Sequence, residues 1–179
     1  MLKIMSLATA ILVICIPAKA ETIERGTKIE IVTAIDLSVP AEIVWQVLAD
    51  TEAYSEWNPY HVRVQGTLAL GERLVVDIEK PNGNCLTIEP HVLELEPHRS
   101  LVWGGGPVGI FRGVHRFDLE RLTPQCTRLH HTEVFSGLFV SFAELGSIES
   151  GYQMMNAALK VKLDELGYLS GDVCPVAAL

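Results

Sequence analysis

The sequence predicts an α+β domain: a curved antiparallel sheet of about seven strands wrapped around one long C-terminal helix, with two short helices after the first strand. Three observations carry this. Between residues 61 and 136, short runs rich in β-branched and aromatic residues follow one another across turn-length gaps, leaving no room for crossover helices, so neighbouring strands must be antiparallel. From about Phe142 to Leu166, the residues Leu145, Ile148, Tyr152, Met155, Leu159, Leu163 and Leu166 recur at steps of three or four, a single apolar stripe along one helix. A sheet and a helix can each cover the other's apolar face, and where the sheet curls more than the helix fills, a cavity remains between them.

Residues 1–20 read as a secretory signal peptide. Lys3 supplies a positive start, Ile4–Ile16 is continuously apolar, and Ala18-Lys19-Ala20 has the form of a cleavage site, so cleavage is expected after Ala20. The apolar run is short for a bilayer span. Cys15 after Leu12-Val13-Ile14 loosely suggests a lipoprotein signal, but the bulky Ile14 argues against lipidation. The expected location is secreted or periplasmic, with no stable membrane anchor after cleavage. Residues 27–168 then form one domain and 169–179 a loosely held tail.

Within the domain, residues 21–26 read as a polar lead-in. Thr27–Leu37 alternates, with Ile29, Ile31, Ile35 and Leu37 on one face, and is the first strand. Pro40 suits a first helical turn, and Val44, Val47 and Leu48 define a short amphipathic helix to Ala49. A second short helix covers Thr51–Trp57, with Asp50 as its N-cap and Pro59 beyond its end. Strands follow over His61–Gly66, Gly71 or Glu72 to Lys80, Cys85–Glu96 with a bend at Pro90, Arg99–Gly104, Phe111–Arg121 and Cys126–Ser136. Gly146 and Gly151 interrupt the long helix and mark a bend or a close backbone approach, and Gly167 suits its C-cap.

The chain has 22 Asp and Glu against 14 Lys and Arg, two of the latter, Lys3 and Lys19, in the leader. So acidic a chain with no basic cluster is a poor partner for nucleic acid or for an anionic membrane surface. An oxidising compartment would allow one disulfide among Cys85, Cys126 and Cys174 and leave one thiol over; the plainer reading is residual buried thiols. There is no C-x-x-C pair.

Four stretches carry a resemblance: "SVPAEIVWQVLADTEAYSEWNPY", "VLELEPHRSLVWGG", "GIFRGVHRFDLE" and "TRLHHTEVFSGL". In this order, over Lys28–Tyr168, the chain resembles the helix-grip, START-like (SRPBCC) superfamily, which includes the polyketide cyclase/dehydrase and lipid-transport families. The resemblance implies a cavity between sheet and C-terminal helix that takes a small hydrophobic or amphipathic ligand, lipid- or polyketide-like, with no cofactor. A cyclase- or dehydratase-type enzyme is the alternative, and a cavity-less domain acting through protein contacts the third reading. Trp57 and Asn58, ending the second short helix, would then lie near the cavity mouth.

The alternation of the last two strands puts polar side chains on the inner face. Phe111, Gly113, His115, Phe117 and Leu119 share one face; Thr127, Leu129, His131, Glu133 and Phe135 share the facing one. Two registers keep these faces: His115 lies opposite His131 or, slipped by two, opposite Glu133. The three could hydrogen-bond one another as buried polar groups must. They could form the polar floor of an apolar pocket walled by Trp103, Phe111, Phe135, Tyr152 and Met155. They could serve as general acid and base, the catalytic candidates of the enzyme reading. A metal site lacks a short-spaced ligand pair, so none is expected. Gly104-Gly105-Gly106-Pro107 with Gly109 reads as a flexible loop, a lid or a hairpin tip.

Overall fold

The computed structural model describes residues 20–169 and 174. The expected signal peptide, apart from Ala20, and the expected tail, apart from Leu169 and Cys174, lie outside the described residues. The chain runs β1 (Ala20–Arg25), β2 (Lys28–Leu37), α1 (Ala41–Ala49), a 3₁₀ turn (Thr51–Ala53), α2 (Tyr54–Trp57), β3 (His61–Gln65), β4 (Val75–Glu79), β5 (Cys85–Ile88), β6 (His91–Glu96), β7 (Ser100–Gly105), β8 (Arg112–Thr123), β9 (Cys126–Ser136), a 3₁₀ turn (Val140–Phe142) and α3 (Ile148–Glu165). All pairings are antiparallel. Six strands form one sheet in the order β1-β2-β9-β8-β7-β6, and β3-β4-β5 form a second.

The α+β sheet-and-helix architecture is as expected, but the described residues form nine strands in two sheets. Two differences account for this. The expected lead-in over residues 21–26 is mostly strand: residues 20–25 pair with β2 from Ala20↔Thr33 to Arg25↔Lys28 as an edge strand. Such a strand is held by its backbone and needs little apolar alternation. The Cys85–Glu96 run is two strands, because Pro90 has no N–H to continue the ladder. Its two halves join different sheets, and the bonds Leu74 N–H to Pro90 O and Val92 N–H to Glu72 O tie the sheets together at that corner.

α3 is shorter than its apolar stripe suggests. It begins at Ile148, so Gly146 lies outside it, while Gly151 faces the ring of Tyr60 at a distance no Cβ could share. Gly167, with φ 74°, ends it as expected: the Tyr168 N–H bonds Leu163 O at 3.0 Å and the Gly167 N–H bonds Asp164 O at 2.8 Å. Asp50 makes no side-chain capping bond to the second helical segment. The stripe of α3 (Ile148, Tyr152, Met155, Leu159, Leu163) is buried with Ile31, Leu37, Leu101, Phe117 and Leu129 of the large sheet.

The cysteines are not residual buried thiols. Cys126, at the start of β9, is disulfide-bonded to Cys174 (Cα–Cα 5.6 Å), and Cys85 is free and exposed. The bond fastens the chain beyond α3 back to the large sheet.

Candidate functional site

The inner face of β7, β8 and β9 carries the polar residues that alternation assigns to it. The register places His115 opposite Glu133 and Phe117 opposite His131, the slipped alternative of the two. A shift in pairing between Arg121 and Thr123, at the hairpin end, accompanies this register. His130 points outward to Glu120, 2.8 Å away.

His115 and His131 are buried and bonded to each other, Nε2 to Nε2 at 2.8 Å. The rest of the chain fixes their protons. Asn156 of α3 donates through Nδ2 to Thr33 Oγ1 (2.9 Å), and its Oδ1 faces His131 Nδ1 at 2.9 Å. His131 must therefore donate from Nδ1 and accept at Nε2, so His115 donates from Nε2. Thr33 Oγ1 in turn donates to the His131 carbonyl at 3.0 Å. Burial disfavours the imidazolium form, and it holds His131 down to about 3 and His115 well below its usual value. Both rings are neutral at physiological pH.

Glu133 is not part of that chain. Its Oε2 accepts a short bond from the Tyr152 hydroxyl of α3. Burial raises its pKa to about 7, against the opposing pull of the Tyr152 bond and of the Lys80 charge. Unlike the imidazoles, Glu133 opens onto a cavity of about 410 Å³. The cavity lies between the two sheets and is also lined by Ala143–Leu145, ahead of α3, and by Ile148 at its start. Its walls are mainly apolar: Tyr60, Ile78, Leu86, Ile88, Pro90, Trp103, Phe111 and Phe135, with Lys80, Glu89 and Glu144 also lining it.

Missing side chains help to make the space. Gly105 of β7 pairs with Gly113 of β8 and both line the cavity. A Cβ on Gly113 would stand 2.8 Å from Glu133 Oε1 and 3.3 Å from the Phe135 ring. The glycine run is thus only partly a loop: Gly104 and Gly105 belong to β7, and Gly106 and Gly109, at φ 94° and 79°, make the turn. That turn and the segment after β9 are joined by the Leu138 N–H to Gly109 O and Phe139 N–H to Ile110 O bonds (both 3.1 Å). Together they expose Val108, Ile110, Leu138, Phe139 and Phe142 beside the lining residues Phe111 and Ala143.

Of the residues singled out from the sequence, Trp103, Phe111, Glu133 and Phe135 line the cavity. His115 and His131 do not. Trp103 stacks on His115 (centroids 4.8 Å apart) and Tyr152 on His131 (3.9 Å), covering both rings. Tyr152 does not line the cavity but touches two residues that do, bonding Glu133 and packing edge-on against Tyr60, and Met155 is core packing. Trp57 packs edge-on against Tyr54 instead of at a mouth. Asn58 is buried, its Oδ1 accepting from the Tyr60 and His61 N–H groups (both 3.0 Å), a turn-forming role. The sequence reading missed the walls contributed by the second sheet and Tyr60. It also missed His61, a third buried imidazole against His115 and Trp103, held down to about 3 by burial. Among the described residues no cluster of three or more His, Cys, Asp or Glu could hold a metal ion. None of their helices is long and apolar enough to cross a membrane.

A family model described as "Polyketide cyclase / dehydrase and lipid transport" matches residues 28–164. No curated protein matches the chain. Similar solved structures include an aromatase/cyclase, Zhui, from Streptomyces sp. R1128 (16% identity, TM-score 0.65, covering 82% of this chain and 99% of that one). A START superfamily protein from Mycobacterium smegmatis is 18% identical (TM-score 0.59, 76% of this chain and 98% of that one). A conserved protein of unknown function from Enterococcus faecalis is 17% identical (TM-score 0.61, 90% of this chain and 83% of that one). At these identities the likeness is one of fold.

Proposed function

Since the chain belongs to the polyketide cyclase/dehydrase and lipid transport family, we propose that it binds a small hydrophobic or amphipathic molecule in the cavity between its sheets and the start of α3. The observation that carries this is the cavity itself: about 410 Å³, mostly apolar walls, and few charged side chains, Glu133 among them. Such a space lies in the range of small-molecule sites, which pair apolar walls with few placed polar groups. The exposed apolar lip formed by Val108, Ile110, Leu138, Phe139 and Phe142 supports the same reading, offering an apolar guest a partly desolvated approach. The cyclase- or dehydratase-type reading built on His115 and His131 has less support, because both imidazoles are neutral and covered. We further propose that the protein is exported, with cleavage after Ala20. The apolar leader and the Cys126–Cys174 bond favour an oxidising compartment.

Native mass spectrometry of the protein purified from its own source tests the binding reading. A co-purifying apolar species, released on denaturation, is the expected result. A ligand-free mass, together with no uptake of an added apolar fluorophore, would refute it.

A further inference from the structure

Resting on the reading that the cavity takes a small apolar guest, we propose that the guest's buried polar end is a hydrogen-bond donor, an ammonium or a hydroxyl, and that Glu133 is the acceptor that selects it.

Four acidic or basic side chains line the cavity, and three are committed elsewhere. Lys80 Nζ bonds both the carboxylate and the backbone carbonyl of Glu144, each at 2.9 Å. Glu89 is ion-paired with Arg73. Glu133 has no ion-pair partner among the described residues. Tyr152 occupies its Oε2, while Oε1 accepts no bond from the described residues and faces the space left by the missing side chain of Gly113. An ionised carboxyl is acceptor-only, so a guest must bring the donor. An ammonium also supplies the opposite charge, and charge-assisted bonds are the stronger ones. A guest carboxylate would instead put two anions together among apolar walls, with the one lining cation already taken, so fatty acids and similar acids are disfavoured. Each oxygen thus has its own role: Oε2 is held by α3, and Oε1 is presented to the cavity.

The test uses three probes with the same apolar body and different heads: decylamine, 1-decanol and decanoate. They are titrated below their micelle or solubility limits into the full chain by calorimetry and by intrinsic tryptophan fluorescence, to which the cavity-lining Trp103 contributes. At about pH 8, where Glu133 is mostly ionised, decylamine should bind at least about tenfold tighter than decanoate, with 1-decanol between. Glu133→Gln should weaken decylamine about tenfold and strengthen decanoate, collapsing the spread. Decanoate binding as tightly as decylamine, or a spread unchanged in Glu133→Gln, would overturn the proposal. Equal binding of all three in both proteins would leave cavity binding standing and remove head-group selection. Binding of none would remove both. If Glu133→Gln does not fold, Gly113→Ala takes its place: its methyl crowds Oε1, and decylamine should lose more affinity than decanoate. Equal losses would count against the proposal.

Discussion

Two influences act in opposite directions on the Glu133 carboxyl. Burial favours its neutral form; the Tyr152 hydroxyl and the Lys80 charge favour the ionised one, and burial prevails. A folded-state pKa of about 7, above the ordinary 4.5, means the native protein holds this proton more tightly than the unfolded chain. The contribution of this group to stability is therefore full below about pH 4.5 and declines as pH rises towards 7, by on the order of 2–3 kcal/mol. Chemical denaturation at about pH 5 and pH 8 should show this loss in the wild type and a flatter dependence in Glu133→Gln. Parallel pH curves would show that the carboxyl is not desolvated as described. At this scale the sequence was informative about faces and silent about partners. Alternation alone put His115, His131 and Glu133 on one inner surface. That Glu133 would turn to Tyr152, and His131 to Asn156, depends on how α3 lies across the sheet, which no local pattern records.

Among the elements, α3 shows how packing can override propensity. Replacing a mid-helix glycine by alanine would stabilise an exposed helix by about 1 kcal/mol. At Gly151 the new methyl would enter the ring of Tyr60, which is itself wedged edge-on against Tyr152 and His61. Overpacking of this kind costs about 1–3 kcal/mol, so Gly151→Ala should lower the melting temperature. An unchanged or raised value would show that Tyr60 can yield. Sequence patterns marked this glycine as a close approach but could not name the ring. The strands divide in the same way. β9 was legible to the residue, because strict alternation and a glycine stop bound it. β1 was not, because an edge strand such as Ala20–Arg25 is held by its neighbour's backbone and carries little pattern of its own. Pro90 marked a bend, yet only the pairing partners show that the chain changes sheets there.

For the molecule as a whole, the fold class was the most legible feature, since strand spacing and one helical stripe leave few ways to bury both. The cavity was much less so. Tyr60, Ile78, Ile88 and Pro90 come from the second sheet or the chain beside it, far in sequence from Glu133, and meet it only after the sheets close on each other. The Cys126–Cys174 bond is likewise a property of the closed molecule. It spans 48 residues, and the chain-entropy model assigns such a link about 4 kcal/mol. Reduction, or Cys174→Ser, should lower unfolding stability by up to about that amount in a denaturant titration. No change would mean that the chain beyond α3 contributes nothing to holding the fold.

Gly105 and Gly113 face each other across an unbroken ladder of backbone hydrogen bonds. The frame beneath them does not need their side chains, and the chamber above exists partly because they have none. Its capacity is therefore set by an omission, which is easily revised. One methyl at position 113 would make a smaller chamber on the same scaffold, so its capacity can change while the ladder stays as it is.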